Sequence, residues 1–296
     1  MKKRPFLIAS LLLSGIFVFF LVLAVAVASF MGRPADFALG DKIGVIEVFG
    51  PIVDSRQVIE QLHDFRDNDN IKALVLRIDS PGGGVGPSQE IHDEVKALDV
   101  IKPVVVSMGS VAASGGYYIA ASAREIIANP GTITGSIGVI MEFTNFQELL
   151  DKIGLNSVVV KSGEYKDIGS PSREMTAPER EILQNLIDDV HSQFVASVAE
   201  GRQMDEALVA SIADGRIFSG HRAMQLGLVD KMGNLEVAIQ RAAELAGVDG
   251  EPKVLYPPSK KPRFIDLFIE ETLNRLQFAL QKQRTVGLQY LWPGFN

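Results

Sequence analysis

Ser114 stands in Ala112-Ala113-Ser114-Gly115-Gly116-Tyr117-Tyr118, shortly after the apolar run Pro103-Val104-Val105-Val106. A hydroxyl among small residues, where a buried strand turns into a helix, is a common presentation of a nucleophile. The residues behind it open a helix, so unpaired backbone N–H groups point toward the reacting centre. A second glycine-rich turn, Asp79-Ser80-Pro81-Gly82-Gly83-Gly84, follows another apolar run and brings more bare N–H groups to the same place. A nucleophile beside backbone donors is the equipment of acyl transfer, where a developing oxyanion must be held. The same turn lacks the Gly-Lys-Ser/Thr ending of a phosphate cradle.

The hydroxyl needs a base. The four histidines, His63, His92, His191 and His221, fall in expected helices or at a helix start, and none has a triad context. They also lack the paired spacing of a zinc hydrolase, so no metal and no cofactor is expected. Lysine is the better candidate. The loop from Lys161 to Pro171 offers Lys161 and Lys166, and spacing alone does not choose between them. A lysine base must be neutral, which means moving from a reference value of about 10.4 to about 7–8. Desolvation is the agent for that, so the site must be dry.

The elements that position these residues read as alternating strands and helices. Strands are expected at 43–48, 73–78, 104–108, 125–128, 137–140 and 158–160. Helices are expected at 55–65, 88–98, 115–123 and 146–153. That alternation argues for an α/β layered domain with a largely parallel sheet. Thr176-Ala177-Pro178-Glu179 is a helix start, with the helix running to about Gly201. Shorter helices follow near 204–213, 219–226 and 234–246. A break at Pro257–Pro262 precedes an amphipathic stretch with Phe264, Leu267, Phe268, Leu273, Leu276 and Leu280.

The chain has 296 residues, 47% of them hydrophobic, enough for one sizeable domain and an anchor. Its formal charge of −7 gives no electrostatic case for nucleic acid. Cysteine is absent, which removes disulfides, thiolate metal sites and thiol nucleophiles. Lys2, Lys3 and Arg4 precede an uncharged run from Pro5 to Gly32. That run exceeds the roughly 7–15 apolar residues of a cleaved signal and reaches the roughly 20 of a membrane span. An uncleaved anchor is expected, although Ala24-Val25-Ala26 has the look of a small-residue cleavage site. The basic cluster stays in the cytoplasm, which places everything after Arg33 outside.

Four motifs in order carry a family resemblance: Asp-Ser-Pro-Gly-Gly-Gly at 79–84, the Ser114 segment, Gly135-Ser136-Ile137-Gly138-Val139, and Tyr165-Lys166-Asp167 with Ser170-Pro171. Together they resemble the SppA-type signal peptide peptidases, bacterial serine proteases, in their short single-copy form. The resemblance covers about 43–250. It implies an α/β crotonase/Clp-protease-like layered domain, here with an N-terminal transmembrane helix. The chain then divides into an anchor (1–32), a linker (33–42), a Ser-Lys peptidase domain (43–250) and an amphipathic tail (251–296).

Carried over by motif, Ser114 is the nucleophile, Lys166 the base, and Ser136 the hydroxyl that orients the lysine. The amides of Gly83 and Gly115 form the oxyanion hole, and Lys161 is structural. The resemblance also implies a membrane-anchored endopeptidase that degrades cleaved signal peptides and other extended apolar peptides. Longer members supply serine and lysine from two homologous halves. One half alone implies a homo-oligomeric ring, an octamer, with dyads shared between subunits. The alternatives are a crotonase-like acyl-thioester enzyme and a protease acting on intact membrane proteins.

Overall fold

The computed structural model describes residues 13–23, 40–258 and 289–292. The chain forms two units, Met1–Gly40 and Asp41–Asn296. In the first, residues 13–23 form helix α1, and all of its side chains are exposed. No helix among the described residues is long and apolar enough to cross a membrane. The remainder of the expected anchor lies outside the described residues. So do most of the linker and the amphipathic stretch at 264–280.

The second unit is built on a sheet of β1 (Lys42–Phe49), β2 (Ile71–Ser80) and β4 (Val104–Ala113), all parallel. These strands are buried along almost their whole length, as strands covered on both faces must be. Successive side chains serve opposite faces. Ile46, Leu74, Leu76, Ile78 and Val106 point into a large core shared with α2 (Arg56–Arg66) and α3 (Val85–Asp99). Val45, Ala73, Val75 and Val105 point the other way, onto Ala238, Ile239 and Ala242 of α9 (Leu235–Ala246). The α/β layered expectation is met. Asn234 caps α9 by accepting from the Val237 N–H at 3.1 Å, and Gly247 ends it in the left-handed region at φ 67°.

Strand β4 is the fork of the sheet. Its first half pairs with β5 (Glu125–Ala128) and its second half with β6 (Ile133–Gly135). Beyond these lie β7 (Ile217–Ser219), antiparallel to β6, and β8 (Lys231–Met232), parallel to β5. At the opposite edge β9 (Lys253–Leu255) pairs with β1. Helix α4 (Gly115–Ala120) leaves the end of β4. Helices α5 (Gln147–Lys152), α7 (Glu206–Ile212) and α8 (Gly220–Gln225) fall where periodicity places them. A separate two-stranded sheet pairs β3 (Gly82–Gly84) with β10 (Gln289–Leu291).

Two expected strands are corrected. Residues 137–140 do not form one: positive φ at Gly135 (78°) and Ser136 (50°) turns the chain out of the sheet after β6. Only Ile140 keeps a bridge, to Gln289. Residues 158–160 have no ladder partner among the described residues, and Val158 and Val160 are 86% and 96% exposed. Apolar composition alone cannot make a strand without a neighbour to take its N–H and C=O groups.

Helix α6 (Ala177–Arg202) opens with a complete capping box. The Thr176 hydroxyl accepts from the Glu179 N–H, and the Glu179 carboxylate accepts from the Thr176 N–H at 2.9 Å. Arg173 donates to Glu179 and, through Nε at 2.9 Å, to Asp167. Arg173, helped by the Thr176 amide, draws the Glu179 carboxyl from 4.5 down to about 2. A carboxyl lowered by folding stabilises the fold above its unfolded value and loses that contribution as pH falls through the folded one. Stability should therefore drain between about pH 4.5 and 2, and more steeply in the wild type than in Glu179→Gln; parallel slopes of Tm against pH would remove the linkage. Thr176→Ala should cost about 1 kcal/mol in a denaturant titration at neutral pH.

Candidate active site

Ser114 is the hinge between β4 and α4, with φ 55° and ψ −118°. Such a conformation costs a non-glycine residue on the order of 1–3 kcal/mol and persists only where the surroundings fix it. Here its N–H donates to the Gly135 carbonyl at 2.8 Å, and its carbonyl accepts from the Tyr118 N–H at 2.8 Å. Every residue of α4 is buried, which locks the helix that follows. The serine is itself 1% exposed.

Ser136 follows β6 as Ser114 follows β4. Ala113 pairs with Gly135 in a parallel ladder, so the two serines step off the ends of adjacent strands together. Ser136 too has positive φ, is buried, and is held by its N–H to the Arg216 carbonyl at 2.8 Å.

The glycine turn reaches the same place. The Ser80 hydroxyl accepts from the Gly82 N–H at 3.1 Å. Ile52 then clamps β3 from one side, donating to the Gly82 carbonyl at 2.9 Å and accepting from the Gly84 N–H at 2.8 Å. A Cβ at Gly83 would lie 2.1 Å from the Ile52 carbonyl oxygen, so no side chain fits there. A Cβ at Gly115 would lie 3.2 Å from the Gly83 nitrogen and 2.6 Å from the Ser88 hydroxyl. The Gly83 and Gly115 backbones are thus in close approach beside the Ser114 hinge.

Lys166 stands apart from this cluster. It lies in an exposed turn and, among the described residues, makes no salt bridge or side-chain hydrogen bond. Lys161 is occupied: its ammonium donates to the Glu164 carbonyl and to Asp167, both at 2.6 Å. Arg173 and Lys161 together hold the Asp167 carboxyl far below the usual range.

The histidines serve elsewhere. His63 pairs with Glu94 at 2.8 Å. His92 is buried against the Tyr118 ring, and that burial lowers its pKa, opposed by Asp93. His221 is exposed at the start of α8, and the Nε2 of His191 is buried with no hydrogen-bond partner among the described residues. No group of three or more His, Asp or Glu able to hold a metal occurs among the described residues.

Sequence reading missed the wall beside α4. There Tyr118 and Phe194 meet edge-on with centroids 5.0 Å apart, and Tyr290 of β10 packs on both. Nothing in the order of residues pairs positions this far apart along the chain. Helical spacing does mark Phe194 as an inward position of α6.

Residues 96–249 match the model of peptidase family S49, and residues 44–132 match that of Clp protease. A protein of Synechocystis sp., provisionally named a protease, is 49% identical over 209 residues, 70% of this chain and 76% of that protein. An Enterococcus faecium protein provisionally named signal peptide peptidase SppA is 40% identical, over 61% of this chain and 53% of that one. The chloroplast serine protease SPPA of Arabidopsis thaliana is 34% identical, over 74% of this chain but only 32% of its own longer one. A layered α/β sheet with a buried, strained serine at its fork, matched by a family model across 96–249, makes this chain a member of peptidase family S49 and a serine peptidase.

Proposed function

We propose that the chain is a membrane-anchored endopeptidase that cuts extended apolar peptides, cleaved signal peptides among them, with a Ser114–Lys166 dyad. The observation that carries the reading is the meeting of Ser114, Ser136 and the Gly83 and Gly115 backbones at one buried hinge. Neutral Lys166 takes the Ser114 proton as Oγ attacks the peptide carbonyl. The oxyanion is held by the Gly83 and Gly115 amides, each donor worth roughly 10²–10³ in rate. Lys166 returns the proton to the leaving amine, and water then releases the acyl group. Ser136 holds the amine so that its lone pair faces Ser114. No cofactor enters any step.

The dyad is assembled between subunits of a ring, an octamer in this reading. Support comes from the exposed arm that carries Lys166: Phe146, Leu149, Ile153, Leu155, Val158 and Val160 all present apolar surface to solvent in the single chain. A neighbour would bury these side chains and exclude water from the lysine. Peptidase-family membership favours peptides over acyl thioesters. The name of the Enterococcus relative supports signal peptides as substrates. Lys2, Lys3 and Arg4 before the uncharged run to Gly32 support a single pass through the inner (cytoplasmic) membrane, with the catalytic domain outside the cytoplasm.

Ser114→Ala and Lys166→Ala should each lower hydrolysis of a fluorogenic apolar peptide by at least about 10³, in line with loss of a nucleophile or its base. Activity retained in Ser114→Ala would end the covalent mechanism. The two inactive variants, unfolded together and refolded into mixed rings, should regain part of the wild-type rate. Mixed rings verified by mass that stay inactive would place both dyad members in one subunit.

A further inference from the structure

Gly82 and Gly84, on either side of Gly83, are held at all four of their backbone polar groups. Ile52 takes two of them, donating to the Gly82 carbonyl at 2.9 Å and accepting from the Gly84 N–H at 2.8 Å. The Gly82 N–H and the Gly84 carbonyl remain, and buried backbone groups need partners. Two serine side chains supply them. The Ser80 hydroxyl accepts from the Gly82 N–H at 3.1 Å, and the Ser88 hydroxyl donates to the Gly84 carbonyl at 2.8 Å. None of these four bonds uses the Gly83 N–H.

Both serines also meet the head of α4. A Cβ at Gly115 would lie 2.6 Å from the Ser88 hydroxyl oxygen. A Cβ at Gly116 would lie 3.0 Å from the Ser80 carbonyl oxygen and 3.5 Å from the Ser80 Cβ. The two serines come from different elements, Ser80 from the end of β2 and Ser88 from the start of α3, and both are fully buried.

A serine that bonds back to the carbonyl four residues earlier is ordinary in a helix. Ser88 differs in where it sits. Its acceptor belongs to Gly84, which is both the last residue of β3 and the N-cap of α3, and its other contact is Gly115. One hydroxyl therefore spans the two segments that carry the oxyanion amides, and Ser80 repeats the arrangement at the opposite end of β3.

We infer that Ser80 and Ser88 are positioning residues of the oxyanion hole: they brace β3 against the start of α4 and so fix the Gly83 and Gly115 amides relative to each other. Neither acts on the reacting atoms. The inference rests on the assignment of those two amides given above. Donors of this kind work by standing in place before charge develops. An amide left free to drift still lets substrate bind but holds the transition state less well, and a misplacement of about 1 Å costs on the order of 10²-fold in rate.

The test compares the full chain with Ser88→Ala and with Ser80→Ala, each of which removes only a hydroxyl. Turnover of a fluorogenic apolar peptide gives kcat and KM. Anisotropy of a labelled peptide of the same sequence, titrated in a Ser114→Ala background, gives the affinity for uncleaved substrate. The matching peptide aldehyde reports on the hole itself. Ser114 Oγ bonds to the aldehyde carbon, the carbonyl electron pair moves to oxygen, and the serine proton passes to the base, leaving a hemiacetal oxyanion. Each variant should lose at least about tenfold in kcat, while KM and peptide affinity move by less than about twofold. The inhibition constant of the aldehyde should rise by the same factor as kcat/KM falls.

Rates within about twofold of wild type in both variants, with Ser114→Ala inactive, would reduce the two hydroxyls to core packing and overturn this inference alone. A loss shared equally by the aldehyde and the uncleaved peptide would mark a general loosening of the cleft and overturn it too. Turnover that survives in Ser114→Ala would overturn the covalent reading and this inference with it.

Discussion

The structure turns on the backbone of one residue. Ser114 can hold φ 55° because β4 is gripped by β2 up to Ala112 and by β6 up to Ala113, and because α4 is buried from its first residue. Its two backbone hydrogen bonds tie the hinge to β6 and to the first turn of α4. Loosening either partner would let the serine relax toward ordinary φ and swing its hydroxyl away from the glycine strand. The fork in the sheet has the same origin. β4 changes partners from β5 to β6 partway along its length, and the second partner supplies both the carbonyl that fixes Ser114 and the turn that carries Ser136.

Around that hinge the chain uses backbone where many enzymes use side chains. β3 is glycine throughout, and at Gly82 and Gly83 it is squeezed against the Tyr290 carbonyl, the Gly115 nitrogen and the Ile52 carbonyl at distances that exclude a Cβ. What remains beside the serine is a set of amide dipoles fixed in place by sheet pairing. Fixed dipoles need no reorganisation when charge develops, which is their advantage in acyl transfer.

Helix α6 links the parts. Its N-terminal capping box and the ion pairs of Arg173 with Asp167 and Glu179 hold the base of the arm that carries Lys166. Farther along, Val190 and Phe194 line the pocket filled by Tyr290. One element thus anchors both the lysine loop and the wall against which a side chain rests. The exposed apolar residues of the arm are the counterpart: they are apolar enough for a core, yet among the described residues they stay about half exposed or more.

Much of this was legible in the residue order. Val45/Ile46, Val75/Leu76 and Val105/Val106 announce strands buried on both faces, and Thr176-Ala177-Pro178-Glu179 announces a capped helix, because these signals are local. The Ser114 segment and the glycine turn could be singled out for the same reason: small residues at strand ends have few other uses. Residues 137–140 and 158–160 read as strands because apolar runs record burial or β propensity, whereas a strand also needs a partner. Local patterns sufficed for most of the elements, for the nucleophile candidate and for the bare backbone beside it. Only the tertiary structure decided that Ser114 and Ser136 leave adjacent strands in register, that Lys161 is tied to Asp167 while Lys166 is left exposed, and that Tyr290 closes the glycine edge. Those are contacts between distant positions, fixed by strand register and packing, and no local pattern encodes them.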